Sequence, residues 1–434
     1  MSTNWTPEKL GKLVSHRKGF IFKSSDFQPS GHPIVRVSDF TDRSIDVSEC
    51  NYMAATNAKN YSDYALLEGD VVIATVGSWP TNPASIVGKT ICVPSEAEAA
   101  LLNQNAVRLR ALDRLNQRYL FYLLKTQEFQ NYIVNKAQGS ANQASITLAD
   151  IFAYDVLLPS KTEQEDIANL LGSLDDKIVL NERMNQALEQ LARTIFRNWF
   201  LEFGPVQSKF EHRKSNLEAS ILAQFPDNFD NGGLPTGWHK GVLGDIAKSS
   251  FRAVKPSEVP EETPYIGLEH MPKRSISLSR WQQAGMVNSN KTAFEKGDFL
   301  FGKLRPYFHK VGIAPLDGIC STDIVVLQPS SEVWSGFVLL CISSDDFVNY
   351  TNQGSTGTKM PRTSWKEMAK FPIVIPPENL VIEFDNIVQP MIARIISNIH
   401  ENKTLARLRD FLAPKFINGA IVFSEARERV EAAL

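Results

Sequence analysis

Cysteine is scarce in this chain and nowhere paired. Four cysteines among 434 residues (Cys50, Cys92, Cys320, Cys341) lie far apart, which excludes a zinc ribbon and a disulfide framework. Charge of one sign is also lacking: the net charge of −2 predicts no indiscriminate polyanion binding, so any nucleic-acid surface must be a local patch. No apolar run has the length of a membrane span and Met1 to Leu10 lacks a signal-peptide core, so a cytoplasmic location with no membrane partner is expected. The signatures of common catalysts are missing too. There is no glycine-rich dinucleotide fingerprint, no paired-histidine zinc helix and no serine elbow. Gly88-Lys89-Thr90 mimics the end of a phosphate-binding loop, but Pro83 stands where its first glycine is required and a strand-like run follows. Asn82-Pro83-Ala84 is similar to an adenine methyltransferase motif without its second proline and aromatic. The seven histidines do not cluster, and only His309 sits in a basic stretch. These absences predict a chain that is not itself an enzyme, with no metal and no cofactor of its own.

What is present is repetition. Hydrophobic residues at 43% and aromatics at 10% suit real cores, and the length suits two domains of roughly 150 residues plus connecting helices. Adding 217 to the numbers of Pro159 to Trp199 lays that segment onto Pro376 to Phe416. The ladder Ile167, Leu171, Leu174, Ile178, Asn181, Asn185, Leu188, Ala192, Ile195, Trp199 answers to Phe384, Val388, Met391, Ile395, Asn398, Asn402, Leu405, Arg409, Leu412, Phe416. This 3,4 spacing is that of a coiled-coil seam. What precedes each rod is duplicated more loosely. Trp5, Leu10, Gly11 and Leu13 reappear as Trp238, Leu243, Gly244 and Ile246, and Glu68-Gly69-Asp70 reappears as Lys296-Gly297-Asp298. The chain therefore reads as globule, rod, globule, rod.

Local signals fill in the layout. Strand-like runs at Val71 to Ala74, Ile91 to Val93 and Ala106 to Leu109 precede one helix from about Leu115 to Lys136. Ser160 with Glu163 reads as a capping box, and Gly204-Pro205 as the break after the first rod. A short helix is expected around Asn216 to Gln224. The rods are predicted to pack antiparallel with facing numbers summing to 583, so that Asn181 faces Asn402, Asn185 faces Asn398 and Arg409 meets Leu174. Buried amides of this kind fix register at some cost in stability. A rod of about 40 residues spans roughly 60 Å.

The candidate reading surfaces are loops. In the second globule they are Lys303 to Lys310, with Lys303, Arg305, Tyr307, His309 and Lys310, and the stretch with Thr358, Lys359, Arg362, Thr363 and Trp365. In the first they are Thr75 to Trp79, with Thr75, Ser78 and Trp79, and the amide-rich Gln138 to Gln143, with Ser140, Asn142 and Gln143. Cations interleaved with small and aromatic residues can hold phosphates, Asn and Gln suit adenine, and Arg and Lys suit guanine. The two globules should read different sequences.

The duplicated layout, Leu304-Arg305-Pro306-Tyr307, Gly354-Ser355-Thr356-Gly357-Thr358, and Ile195-Phe196-Arg197-Asn198-Trp199-Phe200-Leu201-Glu202-Phe203-Gly204-Pro205-Val206 together resemble the specificity subunit of type I restriction-modification systems. The resemblance covers nearly the whole chain. It implies an α/β fold with two globular target-recognition domains, joined and separated by two long antiparallel coiled-coil helices in an internal pseudo-two-fold repeat. The domains would be 1–158 and 237–375, the spacer helices 159–203 and 376–416, the connector 204–236 and the tail 417–434. Each recognition domain would read half of a split site in double-stranded DNA. Implied partners are two adenine-N6 methyltransferase subunits, bringing S-adenosylmethionine, and translocase-nuclease subunits, bringing ATP and Mg. Two other readings stand beside this one: a coiled-coil scaffold for protein partners, and the specificity subunit of a methylation-only system. The Phe196 to Val206 segment suits either methyltransferase docking or internal packing.

Overall fold

The computed structural model describes residues 5–80, 86–355, 357 and 360–423. Asn82-Pro83-Ala84, Thr356, Thr358, Lys359 and the tail beyond residue 423 lie outside the described residues. The chain divides into two compact units, Met1–Asp176 with Leu405–Leu434, and Lys177–Thr404. Each long helix contributes one end to each unit.

In the first unit, Val71–Ala74 is buried along its whole length because it is a continuous apolar run with no polar face to offer water. It lies inside an antiparallel sheet of order Val14–Lys18, Ala106–Ala111, Val71–Ala74, Thr90–Cys92. A second four-stranded sheet holds Phe27–Gln28, Asn51–Met53, His32–Val35 and Leu101–Leu102, and Thr6–Lys9 pairs antiparallel with Asp155–Leu158. The single helix expected from Leu115 to Lys136 is two, Gln117–Leu124 and Gln127–Lys136. Each has its own N-cap, which is why the chain restarts. The Asn116 side chain accepts from Arg118 N and Tyr119 N, both at 2.9 Å, and Thr126 Oγ1 accepts from Phe129 N at 3.3 Å.

The second unit has a four-stranded antiparallel sheet of order Ala247–Ser249, Ile324–Pro329, Phe299–Gly302, Val311–Ile313, again with an entirely buried apolar strand third in order. His239–Val242 pairs antiparallel with Pro372–Ile375. The turn entering the apolar strand is alike in both units. Asp70 Oδ2 accepts from Leu67 N and Asp298 Oδ2 from Glu295 N, each at 2.8 Å, while Gly69 (φ 80°) and Gly297 (φ 93°) take the left-handed position between them.

The long helices run Lys161–Phe196 and Glu378–Ile417. Half of the expected capping box forms: Ser160 Oγ accepts from Glu163 N at 3.2 Å, but the Glu163 carboxylate accepts from Trp5 Nε1 at 3.2 Å instead of reaching back. The first helix runs into a π turn, Arg197–Leu201, then Phe203 turns left-handed (φ 53°) and a new helix, Gly204–Phe210, begins with Pro205 in its first turn. Proline is tolerated there because its missing N–H would have no helical partner. The short helix of the connector is Ala219–Leu222. Phe196, Trp199 and Phe200 are buried against Phe337 and Phe384, with ring centroids 5.0 to 6.0 Å apart, so these three aromatics pack internally.

Within the second unit the two helices meet through their amides. Asn181 Nδ2 donates to Asn402 Oδ1 and to Glu401 Oε2, each at 2.8 Å, and Asn398 Nδ2 donates to Asn185 Oδ1 at 2.8 Å. Residue numbers rising on one helix meet falling numbers on the other, so the segments are antiparallel here. Within the first unit Arg409 is 5% exposed and finds its hydrogen-bond partner one residue beyond Leu174. A guanidinium in a desolvated seam needs a counter-charge, and it bonds Asp175 Oδ1 at 2.5 Å and Asp410 at 2.8 Å. Asp175 also accepts from Tyr122 Oη at 2.6 Å and Arg43 Nη2 at 3.1 Å.

Candidate nucleic-acid interface

In the first unit the strand Val71–Ala74 continues past Thr75 into Val76–Gly77, which pairs with Gln143–Ser145, itself the second arm of a hairpin with Gln138–Ser140. The two loop stretches singled out in the sequence are thus neighbours in one three-stranded sheet. A Cβ on Gly139 would lie 2.0 Å from Gln143 O, so only glycine lets the hairpin close this tightly. Ser140, Asn142 and Gln143 are exposed at its tip, and Trp79 Nε1 donates to Ser140 O at 2.8 Å, pinning the indole across it. Thr75 and Ser78 are buried. Their backbones join the loop to Asn105 and Val87, with Thr75 N to Asn105 O at 2.8 Å and Val87 N to Ser78 O at 3.0 Å, so these two side chains support the surface without lining it.

In the second unit the chain leaves Phe299–Gly302 into Lys303, and a single turn, Pro306–Phe308, is bracketed by left-handed Arg305 (φ 51°) and His309 (φ 51°). Left-handed non-glycine residues on both sides of a proline turn hold a fixed, costly shape. It is held from the second loop. Arg305 N donates to Pro361 O at 2.7 Å, Thr363 N donates to Lys303 O at 3.1 Å, and Leu304 bridges Arg362 antiparallel. This bridge matches, position for position, the pairing of Val76 with Ser145 in the first unit.

The side chains differ in fate. Tyr307 is 51% exposed, and Lys303 and Arg305 are half-buried. Arg362 is exposed with Nε 3.2 Å from Asp323 Oδ1. Lys310 Nζ donates to Leu268 O at 2.6 Å, and partial burial, opposed by Glu269, lowers its affinity for a proton. Thr363 is buried, and Trp365 is half-buried against the core at the start of Trp365–Met368. His309 differs from the phosphate-facing group expected: it is 5% exposed, with Nε2 2.9 Å from Ser343 O. Burial holds its pKa below the ordinary value of 6.5, so the ring is neutral at pH 7 and serves inside the domain. Thr358 and Lys359 are not among the described residues.

Sequence reasoning missed the loop Met271 to Ser277. Arg274 N donates to His309 O at 2.9 Å, and exposed Lys273 places Nζ 5.8 Å from the Phe308 ring, beside the basic turn. The signal was present as Lys273-Arg274, but it lies far from the other candidates in sequence. Burial disfavours the thiolate of each cysteine, pushing Cys50, Cys320 and Cys341 up to about 12 and Cys92 up to about 11. Among the described residues no helix is long and apolar enough to cross a membrane, and no group of three or more His, Cys, Asp or Glu gathers for a metal.

Two mixed α/β units, each presenting a pair of laced loops beside an apolar strand, define a protein organised around exposed loop surfaces. Residues 2–190 and 235–409 match the family described as type I restriction modification DNA specificity domain, and the chain belongs to that family. It is 24% identical over 339 residues to the type I restriction enzyme MjaIX specificity subunit of Methanocaldococcus jannaschii, covering 74% of this chain and 73% of that one. It is 24% identical over 357 residues to the HindI specificity subunit of Haemophilus influenzae, covering 70% and 77%. Its fold is similar to the crystal structure of the type I restriction-modification S subunit from M. genitalium, with a TM-score of 0.54 at 17% identity and 96% of each chain covered.

Proposed function

We propose that this chain is the sequence-reading, non-catalytic subunit of a type I restriction-modification complex, and that it reads a split site in double-stranded DNA. The observation that carries the reading is the shared lacing of unlike loops. Val76 with Ser145 and Leu304 with Arg362 hold equivalent positions, yet one surface offers Ser140, Asn142 and Gln143 while the other offers Lys303, Arg305, Tyr307 and Arg362. A constant scaffold with changed side chains is what two half-sites of different sequence require. The amide surface suits adenine edges in a major groove, and the basic surface suits guanine edges and phosphates.

In this reading residues 1–158 and 237–375 are the two recognition domains, related by an internal pseudo-two-fold repeat, and the helices of 159–203 and 376–416 pair as one antiparallel coiled coil that acts as spacer. The amide bonds Asn181 to Asn402 and Asn185 to Asn398 support it, because polar pairs in a seam penalise slippage. A helix of 40 residues rises about 60 Å, which limits the half-site separation to about 18 base pairs, and two surfaces on one side of the duplex favour about one helical turn. Two adenine-N6 methyltransferase subunits would bring S-adenosylmethionine and take the target adenine out of the stack. Translocase-nuclease subunits would bring ATP and Mg, and the complex would work in the cytoplasm.

The test is methylation mapping with the purified chain and its methyltransferase partner. A split recognition sequence is expected, with binding that weakens steeply as salt rises. Binding indifferent to sequence and salt would instead favour a scaffold for proteins.

A further inference from the structure

One buried carboxylate in the second unit has no counterpart at the equivalent position of the second long helix. Glu189 is 5% exposed, and the residue 217 further on is Ala406. It stands beside the seam and points at the globule. Both of its oxygens accept from Ile276 N at 3.1 Å, and one accepts from Ser275 Oγ at 3.0 Å. Arg193, one turn on, donates to Glu189 through Nη2 at 2.7 Å and through Nη1 to Ser343 O at 2.5 Å. The same Ser343 oxygen accepts from His309 Nε2 at 2.9 Å, and His309 O accepts from Arg274 N at 2.9 Å. The path from helix to basic turn is therefore continuous hydrogen bonding, buried at Ile276 and His309 and part-buried at Arg193 and Ser275.

We propose that Glu189 is a positioning residue that fixes the angle at which the basic turn Arg305–His309 leaves the first long helix, and so sets which half-site spacing the chain accepts. The inference rests on the split-site reading above. A carboxylate is suited to this task because Ile276 N–H and Ser275 Oγ cannot move away without leaving buried oxygens of Glu189 short of hydrogen bonds, a loss that the ion pair with Arg193 on its own helix does not make good. Apolar packing alone would tolerate small rotations at little cost. The bases touched by Arg305 or Tyr307 do not depend on Glu189 directly, so spacing and base preference are separable.

The experiment uses the full chain assembled with its methyltransferase partner, on duplexes carrying its site with the native gap or with one base pair added or removed. Glu189→Ala is expected to lower the preference for the native gap about tenfold while keeping the base preference in the second half-site. Glu189→Gln retains one acceptor oxygen for Ile276 N–H and is expected to lose about threefold, which keeps the test open if the alanine variant folds poorly. An unchanged gap preference in the folded variants, or loss of base preference together with gap preference, overturns the proposal. If the unaltered chain shows no split-site preference at all, the reading beneath it has failed instead.

Discussion

Replacing Arg409 by methionine should destabilise the first unit by about 2–3 kcal/mol, although methionine fits the apolar ladder better than arginine does. Breaking a buried ion pair by removing one partner costs about 3–5 kcal/mol when the remaining charge is stranded. Asp175 is only partly stranded. Its side chain is 19% exposed, and Oδ2 keeps Tyr122 Oη at 2.6 Å and Arg43 Nη2 at 3.1 Å while Oδ1 loses its bond to Arg409. The cost therefore sits below the usual range, and the methionine side chain returns some of it by filling the space. A double-mutant cycle with Asp175→Asn, read by urea unfolding, should give a coupling of about 1–3 kcal/mol. High salt should leave that coupling nearly unchanged, since Arg409 is buried and screening acts on exposed charges. A loss under about 0.5 kcal/mol in Arg409→Met, or a coupling that vanishes in salt, would show that the pair is incidental to the helix contact.

Arg305→Ala and Arg362→Ala should each weaken DNA binding; a residue on phosphate lowers the slope of log affinity against log salt by about 1 without changing the preferred sequence, whereas one on a base relaxes a single position. Leucine at both 185 and 398 should raise the unfolding midpoint while broadening the accepted gap lengths in methylation mapping, because the Asn398 to Asn185 bond trades stability for register. Acid should loosen the second unit. His309 faces Arg193, Arg274 and Asp345, and burial keeps its native pKa below 6.5; the unfolded chain therefore binds more protons, and stability present above about pH 6.5 is lost as pH falls toward the lowered value. Unfolding midpoints at two pH values bracketing that window should show a slope that His309→Gln reduces, and an equal slope in the variant would exclude the histidine.

Periodicity made the helices legible. A polar residue in a 3,4 apolar ladder has to meet something across the seam, and numbers that sum to 583 name Asn402 for Asn181 and Asn398 for Asn185, the residues joined by the 2.8 Å bonds. The apolar strand Val71–Ala74 was legible too, since burial on both faces leaves a continuous hydrophobic run, and the Glu-Gly-Asp stretch before it was visible as a repeat. Arg409 was visible as a departure, but Asp175 was not visible as its partner, because the carboxylate sits one position off the ladder. The basic stretch Lys303 to Lys310 marked His309 as a candidate to face phosphate. Its burial, and the Ser343 carbonyl that takes the Nε2 hydrogen bond, come from residues distant in sequence, and no local pattern encodes that.

The two units solve one mechanical problem with different chemistry. Loops that read DNA have to be exposed, so their rigidity must come from behind. In each unit a carboxylate of the first long helix takes donors from the globule. Asp175 receives Arg43 and Tyr122 from the first globule, and Glu189 receives Ile276 N–H and Ser275 from the second. Neither position is acidic in the other long helix, where Ile392 and Ala406 stand. Because only side-chain donors of the first globule reach Asp175, whereas Glu189 also receives a backbone N–H from the second, substitutions can remove every globule donor in the first but not in the second. In the second, Ser275 Oγ can be removed but the Ile276 N–H remains, so the helix carboxylate is the fuller handle. The contacts of Asp175 should therefore be easier to weaken through Arg43 or Tyr122 than those of Glu189 through Ser275, and urea unfolding of the single variants should show the larger loss of stability in the first pair.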